Sequence, residues 1–258
     1  MLELENISKI YESGISFQAL EDVNLSVADG EFVAIMGPSG SGKTTLLNVI
    51  STIDKPTGGQ VSIGGEQPHA LTSDKLAQFR RRKLGFVFQD YNLLETLTVR
   101  ENIFVPMTLD GIAVTEMNQR LADIAPVLGI ESILHKRTFE ISGGQAQRTA
   151  IARAIIHEPE LLLADEPTGN LDSKTARDVM ELFAAVNERF GVTILMVTHD
   201  PKAASYSRRV IVMKDGTIAR PDLRREKSQQ EFFDRIIDAL AELEQIQAEL
   251  EQIQIEQV

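Results

Sequence analysis

The sequence GPSGSGKTT, residues 37–45, decides the fold. It follows the apolar run FVAIM of residues 32–36, which reads as a buried strand, and it leads into TTLLNVI, the start of a helix. The turn matches Gly-x-x-x-x-Gly-Lys-Thr, a pattern typical of loops that bind phosphates between a strand and a helix. Glycines let successive backbone N–H groups face one phosphate, and the helix adds the positive end of its dipole.

Two side chains of this loop carry specific chemistry. Lys43 is a point charge that follows the β- and γ-phosphates of a nucleotide, and Thr44 offers a hydroxyl to Mg²⁺. A plain glycine-rich turn is the alternative, but the strand before the loop and the helix after it favour phosphate binding. The residues predicted to bind nucleotide here are Gly37, Ser39, Gly40, Ser41, Gly42, Lys43, Thr44 and Thr45.

Two further strand ends carry polar residues. In LLLADEP, residues 161–167, a buried strand would end at Asp165, whose carboxylate would reach Mg²⁺. Glu166 would point to a different face of the chain and polarise a water molecule for attack on the γ-phosphate. The alternative is that the acidic pair caps a helix. His199 follows the run TILMV and would meet the γ-phosphate at the carboxyl end of a parallel strand.

Short apolar runs alternate with longer helical patterns, which predicts a parallel sheet with crossover helices. We expect an α/β fold of the P-loop NTPase class, with shorter antiparallel strands in residues 1–30 and 59–64. Residues from about 90 to 157 read mostly helical and predict a subdomain inserted between strands. RVIVMKDGTIA, residues 209–219, predicts a hairpin around Asp215-Gly216.

Bulk composition excludes several classes of protein. The chain has 258 residues, a net charge of −12 and no cysteine. Nucleic-acid binding is not expected, because neutralising many phosphates needs a basic face. Without cysteine there are no disulfides, thiolate metal sites or cysteine nucleophile. No apolar stretch approaches the roughly 20 residues that span a bilayer, so any membrane link is expected to come through a partner.

The last residues, 228–258, carry a heptad pattern in an acidic segment. Two repeats, LEQIQAE and LEQIQIE, fill residues 243–256, and the same register extends back to Phe232, Ile236 and Ala239. The pattern predicts a helix that packs on its own domain or pairs with a helix from a second copy or a partner. Because the g positions are acidic and no e position is basic, a parallel self-pair would gain no salt bridges between these positions.

ISGGQAQRTAIARA, residues 141–154, raises a separate question. It places a serine and two glycines at the start of a helix, which also attracts phosphate, although the chain already has a phosphate loop. On its own, such a start is a common N-cap.

All these motifs, in this order, resemble those of the nucleotide-binding subunits of ABC transporters over about residues 1–220. The resemblance implies an ABC-type ATP-binding domain with ATP and Mg²⁺ as cofactors, followed at 221–258 by a linker and the acidic helix. It implies catalytic roles for Glu166, His199 and Lys43. The further residues that it implies are Tyr11 for stacking on adenine (with Phe17 as the alternative), Gln89 and Asp165 with Thr44 for Mg²⁺, the signature Ser142, Gly143, Gly144 and Gln145, and Asp172 at the dimer seam.

The resemblance also implies why there are two phosphate-seeking helix starts. In this family two subunits meet head to tail, and the Ser-Gly-Gly of one subunit closes the phosphate loop of the other. The partners implied are therefore a second copy and an integral membrane permease, which would dock near residues 89–97. Leu93, Leu94 and Leu97 would form part of that docking groove, with packing inside the helical subdomain as the alternative.

A closer resemblance lies in DEPTGNLD and FQDYNLLETLTVREN. These look like the group that partners permeases of macrolide-export, lipoprotein-release and cell-division type, and most closely the ATPase subunits of bacitracin-type peptide resistance. The resemblance implies a cytoplasmic ATPase, held at the inner face of the membrane by its permease, that powers export or clearance of antimicrobial peptides or similar amphipathic substrates. The alternatives are a soluble ABC-type mechanoprotein and a signalling ATPase not coupled to transport.

Overall fold

A computed structural model of the chain describes residues 1–13, 15–219, 223–226 and 228–256. Its strands are β1 (Leu2–Ser13), β2 (Ile15–Val27), β3 (Phe32–Met36), β4 (Gly58–Ile63), β5 (Leu84–Val87), β6 (Leu161–Asp165), β7 (Thr193–Val197), β8 (Arg209–Lys214), β9 (Thr217–Ile218) and β10 (Leu223–Arg224). Its α-helices are α1 (Lys43–Ile50), α2 (Ser73–Lys83), α3 (Val99–Leu109), α4 (Val114–Leu128), α5 (Gly143–Ile155), α6 (Ser173–Phe190), α7 (Pro201–Ala204) and α8 (Gln229–Glu256).

The central sheet confirms the α/β prediction. Its strands run in the order β10-β8-β3-β7-β6-β5, and β9 pairs with β8. The five strands β8, β3, β7, β6 and β5 pair parallel with one another. The carboxyl ends of β3, β5, β6 and β7 therefore meet at one edge of the sheet, where open α/β folds bind their ligands.

Both faces of the sheet are buried, which explains its continuous apolar runs. Along β3, Phe32, Ala34 and Met36 belong to one hydrophobic core, while Val33 and Ile35 belong to the other. Alternate residues of a strand point to opposite faces, so one short run supplies two cores. This double burial fixes the position of the loop that follows β3.

A second, antiparallel sheet of order β2-β1-β4 forms at the predicted place in the chain. Its buried residues, such as Leu2 and Ile7, belong to the second core together with Leu46 of α1. This sheet thus rests against the helix that follows the phosphate loop.

Helices α3, α4 and α5 occupy the stretch between β5 and β6. A capping box starts α3, because Thr98 accepts from the N–H of Glu101 while the Glu101 carboxylate accepts from the N–H of Thr98. Gly129, with φ 62°, ends α4 in the left-handed conformation that glycine adopts most easily. The segment therefore presents α5 and its Ser-Gly-Gly start to one side of the sheet edge.

The start of the tail packs on the chain itself. Phe232 and Ile236 are at most 1% exposed and belong to the first core, Leu243 packs against that core, and Ala239 is 3% exposed. Self-packing therefore uses the heptad positions up to Leu243, so these are not a seam for pairing with another helix. β10 pairs with β8, and the predicted division at residue 220 lies outside the described residues. Among the described helices, none is long and apolar enough to cross a membrane.

Candidate functional site

The phosphate loop leaves β3 in a turn that requires glycine. A Cβ on Gly37 would lie 2.2 Å from the carbonyl oxygen of Met213, so no larger residue fits there. Gly40 and Gly42 have φ values of 82° and 96°, in the left-handed region that favours glycine. Helix α1 then starts at Lys43, with its N-terminus at the loop.

Lys43 is buried and folds back on this loop. Its Nζ donates to the carbonyl oxygens of Gly37 and Pro38, each at 2.8 Å. Burial lowers the pKa of Lys43, and the charges of Glu166 and Asp165 partly offset that effect. Both predicted acids therefore lie close enough to Lys43 for electrostatic interaction, which joins the ends of β3 and β6 in one site.

Asp165 has the properties of a metal ligand. Its Oδ1 atom is buried and has no hydrogen-bond partner among the described residues. Burial raises the pKa of Asp165, the neighbouring Glu166 raises it further, and Lys43 lowers it. A divalent cation would satisfy the orphaned oxygen and favour the ionised carboxylate, so the residues present fit Mg²⁺.

Glu166 and His199 form a pair across two strand ends. Glu166 Oε1 lies 2.9 Å from His199 Nδ1, and the backbone N–H of His199 donates to Glu166 Oε2 at 3.3 Å. An ionised carboxylate only accepts, so Nδ1 carries the hydrogen in that state. Glu166 has φ 46°, an unusual value for a non-glycine residue, and its N–H bonds to the carbonyl of Val197 at the end of β7.

Gln89 follows β5 and is exposed at the same sheet edge. Its Nε2 donates to Asn170 Oδ1 at 3.2 Å, while Asn170 Nδ2 donates to the Gln89 carbonyl and to Asp90 Oδ1. Asn170 thus ties Gln89 to the loop that follows Glu166. The sequence analysis did not identify Asn170 as a functional residue, although Asn170 lies within the GNLD motif.

The side chain of Tyr11, on β1, is held in place by Asp54 and Lys9. Its hydroxyl donates to Asp54 Oδ2 at 2.8 Å, and Lys9 Nζ lies 4.8 Å from the centre of its ring. Burial and the bond to Asp54 raise the pKa of Tyr11, and a hydrogen bond with Thr45 opposes this. Phe17, the alternative, lies opposite Tyr11 in the β1–β2 pairing and is 60% exposed. Tyr11 therefore has the firmer link to the helix that starts at the phosphate loop.

The signature residues start α5 as a capping box. Ser142 Oγ accepts from the N–H of Gln145 at 3.3 Å, and Gln145 Oε1 accepts from the N–H of Ser142 at 3.0 Å. Gln145 thus supports Ser142, whose hydroxyl hydrogen can still be donated. A Cβ on Gly143 would approach Tyr91 and Leu171, and one on Gly144 would lie 2.5 Å from Thr175 Cγ2. None of these neighbours belongs to the phosphate loop.

Asp172 is the N-cap of α6. It accepts from the N–H groups of Lys174 and Thr175 and from the Thr175 hydroxyl at 2.6 Å. The hydroxyl bond and the backbone bonds lower the pKa of Asp172. The structure therefore gives this exposed carboxylate a local role, at the end of the loop that begins with Glu166.

Residues 89–97, the segment predicted to meet a permease, are braced by two more side chains that the sequence did not single out. Arg153 of α5 donates to the carbonyls of Tyr91 at 2.7 Å and Asn92 at 2.5 Å. Asn102 of α3 is fully buried and bonds both the N–H and the carbonyl of Leu94. Of the three leucines, Leu94 is 50% exposed, whereas Leu93 and Leu97 are half-buried.

Comparison with known proteins gives consistent matches. The sequence model of the ABC transporter family matches residues 20–169. The ABC transporter ATP-binding protein YxdL of Bacillus subtilis is 57% identical over 243 residues, 94% of each chain. The bacitracin export ATP-binding protein BceA of Halalkalibacterium halodurans is 49% identical over 238 residues, 92% of this chain and 94% of the relative. A dimeric post-hydrolysis structure of the ATP-binding cassette MJ0796 with ADP and Pi has a TM-score of 0.79 and 41% identity, over 88% of this chain and 100% of that one.

Proposed function

Because the chain belongs to the ABC transporter family as an ATP-binding subunit with ATPase chemistry, we propose that it dimerises on ATP and powers a membrane permease. One observation carries the proposal: the signature start faces Tyr91, Leu171 and Thr175, not the phosphate loop of its own chain. A second copy, arranged head to tail, would bring Ser142 to that loop. The dimeric state of the related MJ0796 cassette supports this arrangement.

The residues at the sheet edge account for hydrolysis in such a dimer. Glu166 takes a proton from a water molecule as the water attacks the γ-phosphorus, and the bond to the bridging oxygen of ADP breaks. Lys43 leaves the carbonyls of Gly37 and Pro38 and neutralises charge on the β- and γ-phosphates. His199 holds the carboxylate of Glu166 in place.

Mg²⁺ would be held by Thr44, Gln89 and Asp165, and it would neutralise charge that develops on the phosphates. The orphaned Oδ1 of Asp165 supports this assignment. The exposed hydroxyl of Thr44 and the exposed amide of Gln89 lie on elements that reach the same sheet edge. The partner's Ser142 would add a hydroxyl donor to the γ-phosphate, so its contact would exist only while ATP is intact.

The segment 89–97 is the proposed docking site of the permease, at the cytoplasmic face of the membrane. Leu94 offers an exposed apolar side chain, and the segment around it is fixed by Asn102, Arg153 and Asn170. These anchors come from three different parts of the chain. A push on the segment would therefore reach α5 and the loop after Glu166.

The proposed substrates are antimicrobial peptides or similar amphipathic molecules, which the permease would export or clear. The relative BceA is a bacitracin export protein, which supports this class. A macrolide export ATP-binding/permease protein of Syntrophobacter fumaroxidans is 45% identical over 221 residues, but the match covers only 31% of that protein. The peptide class is therefore better supported by whole-chain likeness.

The test is copurification with the permease encoded next to this chain. The wild-type chain should copurify, and the complex should hydrolyse ATP faster when bacitracin is added. Leu94→Glu should abolish both effects, whereas Leu109→Glu, at a 66% exposed leucine outside the segment, should preserve both. Copurification that survives Leu94→Glu would refute the docking site, and a wild-type chain that never binds a permease would favour a soluble ATPase role.

A further inference from the structure

Helix α5 carries a buried amide that reaches the loop of the predicted catalytic base. Gln147 is fully buried, and its Nε2 donates to the carbonyl of Pro167 at 2.5 Å. Pro167 directly follows Glu166. Because a carbonyl only accepts, the nitrogen of the amide must be the atom that faces Pro167.

The other atom of this amide, Oε1, is buried without a hydrogen-bond partner among the described residues. A buried acceptor that is left unmatched lowers stability, so methionine or leucine would fill the same space at less cost. The amide therefore has a use beyond packing. That use is the bond to Pro167.

The backbone of Glu166 needs support from both sides. Its φ of 46° is a conformation that non-glycine residues keep only where surrounding contacts enforce it. The N–H of Glu166 bonds to Val197, and the next carbonyl, that of Pro167, bonds to Gln147. Together these two bonds hold the backbone that carries the Glu166 carboxylate.

Gln147 also lies just over one helical turn after Ser142, the N-cap of α5. A displacement of the signature start would therefore be passed along a rigid helix to Pro167. The start of α5 has a second contact with the same region, because Gly144 packs closely against Thr175 of α6. Two contacts, Gln147 with Pro167 and Gly144 with Thr175, thus link the signature helix to the region that follows Glu166.

We infer that Gln147 is a positioning residue that couples the signature of its chain to Glu166 of the same chain. The signature closes one nucleotide site of the dimer, and Glu166 serves the second nucleotide site. The inference rests on the proposed head-to-tail dimer, in which each chain contributes residues to both nucleotide sites. Closure around one ATP would set the catalytic base at the second ATP. Hydrolysis at the two sites would then be cooperative through α5.

The test measures ATP hydrolysis by the full chain against ATP concentration. Gln147→Met keeps the length of the side chain and removes the donor. It should lower kcat about tenfold, as expected for loss of one buried hydrogen bond, and leave the half-saturating ATP concentration within about twofold. The Hill coefficient should fall from near its ceiling of about two, for two sites, to about one.

Thr149→Val is the matched control. Thr149 is fully buried on the same helix, but its hydroxyl bonds to the Gln145 carbonyl within α5. This variant should keep the wild-type kcat and Hill coefficient. Gln147→Glu is a second test, because a buried carboxyl donates to Pro167 only while it is protonated. Its kcat relative to wild type should rise as the pH is lowered.

Two results would overturn the coupling alone. One is a wild-type kcat and Hill coefficient in Gln147→Met. The other is a lower kcat that follows a lower Tm while the Hill coefficient stays unchanged, which would reduce Gln147 to a packing residue. The proposed dimer is tested separately, by measuring the ATPase rate of the wild type on dilution. An unchanged rate per molecule at dilutions that leave only monomers would overturn both the composite sites and the coupling.

Discussion

The carboxylate of Glu166 and the Nδ1 atom of His199 lie 2.9 Å apart, although the two residues follow different strands. The parallel pairing of β6 with β7 sets Asp165 opposite Val197, which brings the residues after both strands together. The pair therefore depends on the register of the central sheet.

Glu166→Gln should bind ATP and hydrolyse it about 10²–10⁴ times more slowly than the wild type, the range for loss of a general base. Glutamine keeps an oxygen that accepts from His199, so the fold of the site should survive. Phosphate release measures the rate, and light scattering with ATP should show a trapped dimer. Wild-type turnover in this variant would remove Glu166 from its proposed role.

Ser142→Arg should abolish hydrolysis in a homodimer, because each site would receive an arginine where the serine hydroxyl is needed. Lys43→Ala should be inactive for the opposite reason, since it damages the chain's own phosphate loop. Mixed in equal amounts, the two variants should regain hydrolysis at one composite site of the heterodimer. Normal activity of Ser142→Arg alone, measured by phosphate release, would contradict closure by the partner.

Tyr11→Ala should weaken ATP binding about 5- to 150-fold, since stacking of a base on an aromatic ring contributes about 1–3 kcal/mol. Lys9 lies over the Tyr11 ring, so the base would stack on the opposite face. Tyr11→Phe should bind nearly as well as wild type because it keeps the ring. Phe17→Ala serves as the comparison, and a larger loss of affinity there, by calorimetry, would move the assignment to Phe17.

Neighbouring isoleucines on α8 test how the tail packs. Ile236 is fully buried in the first core, whereas Ile237 is 40% exposed. Ile236→Ala should lower the free energy of unfolding by about 2–5 kcal/mol. Ile237→Ala should cost less than about 1 kcal/mol. Equal costs in urea denaturation would mean that α8 does not pack on its own domain.

Acid should destabilise the chain through two partly buried histidines, His69 and His157. Burial lowers the pKa of His69 and of His157 in the folded state. Below pH about 6.5, the pKa of an unfolded histidine, the unfolded chain binds protons that the folded chain does not. The free energy of unfolding therefore falls as the pH drops from about 6.5 towards the lowered folded pKa values.

His157→Gln should make this pH dependence shallower, because it removes one of the two groups while keeping a donor for the carbonyl of Leu84. His135→Gln, at an exposed histidine, is the control and should leave the slope unchanged. Urea denaturation at pH 7 and about 5.5 measures the difference. Parallel slopes for the wild type and His157→Gln would exclude His157 as a source of the acid sensitivity.

The sequence predicted the site residues that have reactive side chains and also lie at or after the end of an apolar strand. Asp165 ends a buried apolar strand, and Lys43 and His199 each follow one, so a parallel sheet alone brings them to one edge. Asn102, Gln147 and Arg153 gave no such signal, because their importance lies in which distant carbonyl each one meets. A polar residue on a helix reads as surface until the packing of that helix is known.

The tail shows a different limit. The spacing of Phe232, Ile236, Ala239 and Leu243 suits a coiled-coil seam and equally suits an amphipathic helix on a globular core. A heptad pattern predicts that one face of the helix is buried, but it does not distinguish burial against the chain's own core from burial against another helix. The structure places Phe232 and Ile236 in the chain's own core, packs Leu243 against that core and buries Ala239.

The two carbonyls that hold Lys43 bear on how the enzyme releases its product. The ammonium group is already hydrogen-bonded to Gly37 and Pro38, so the proposed binding of a nucleotide by Lys43 would exchange one set of partners for another. The affinity would then reflect the difference between two hydrogen-bonded states of one buried cation, and Lys43 would return to the two carbonyls when ADP leaves. Such an exchange would keep the net gain of Lys43 on nucleotide binding small, which favours the release of ADP that each cycle of an ATPase requires.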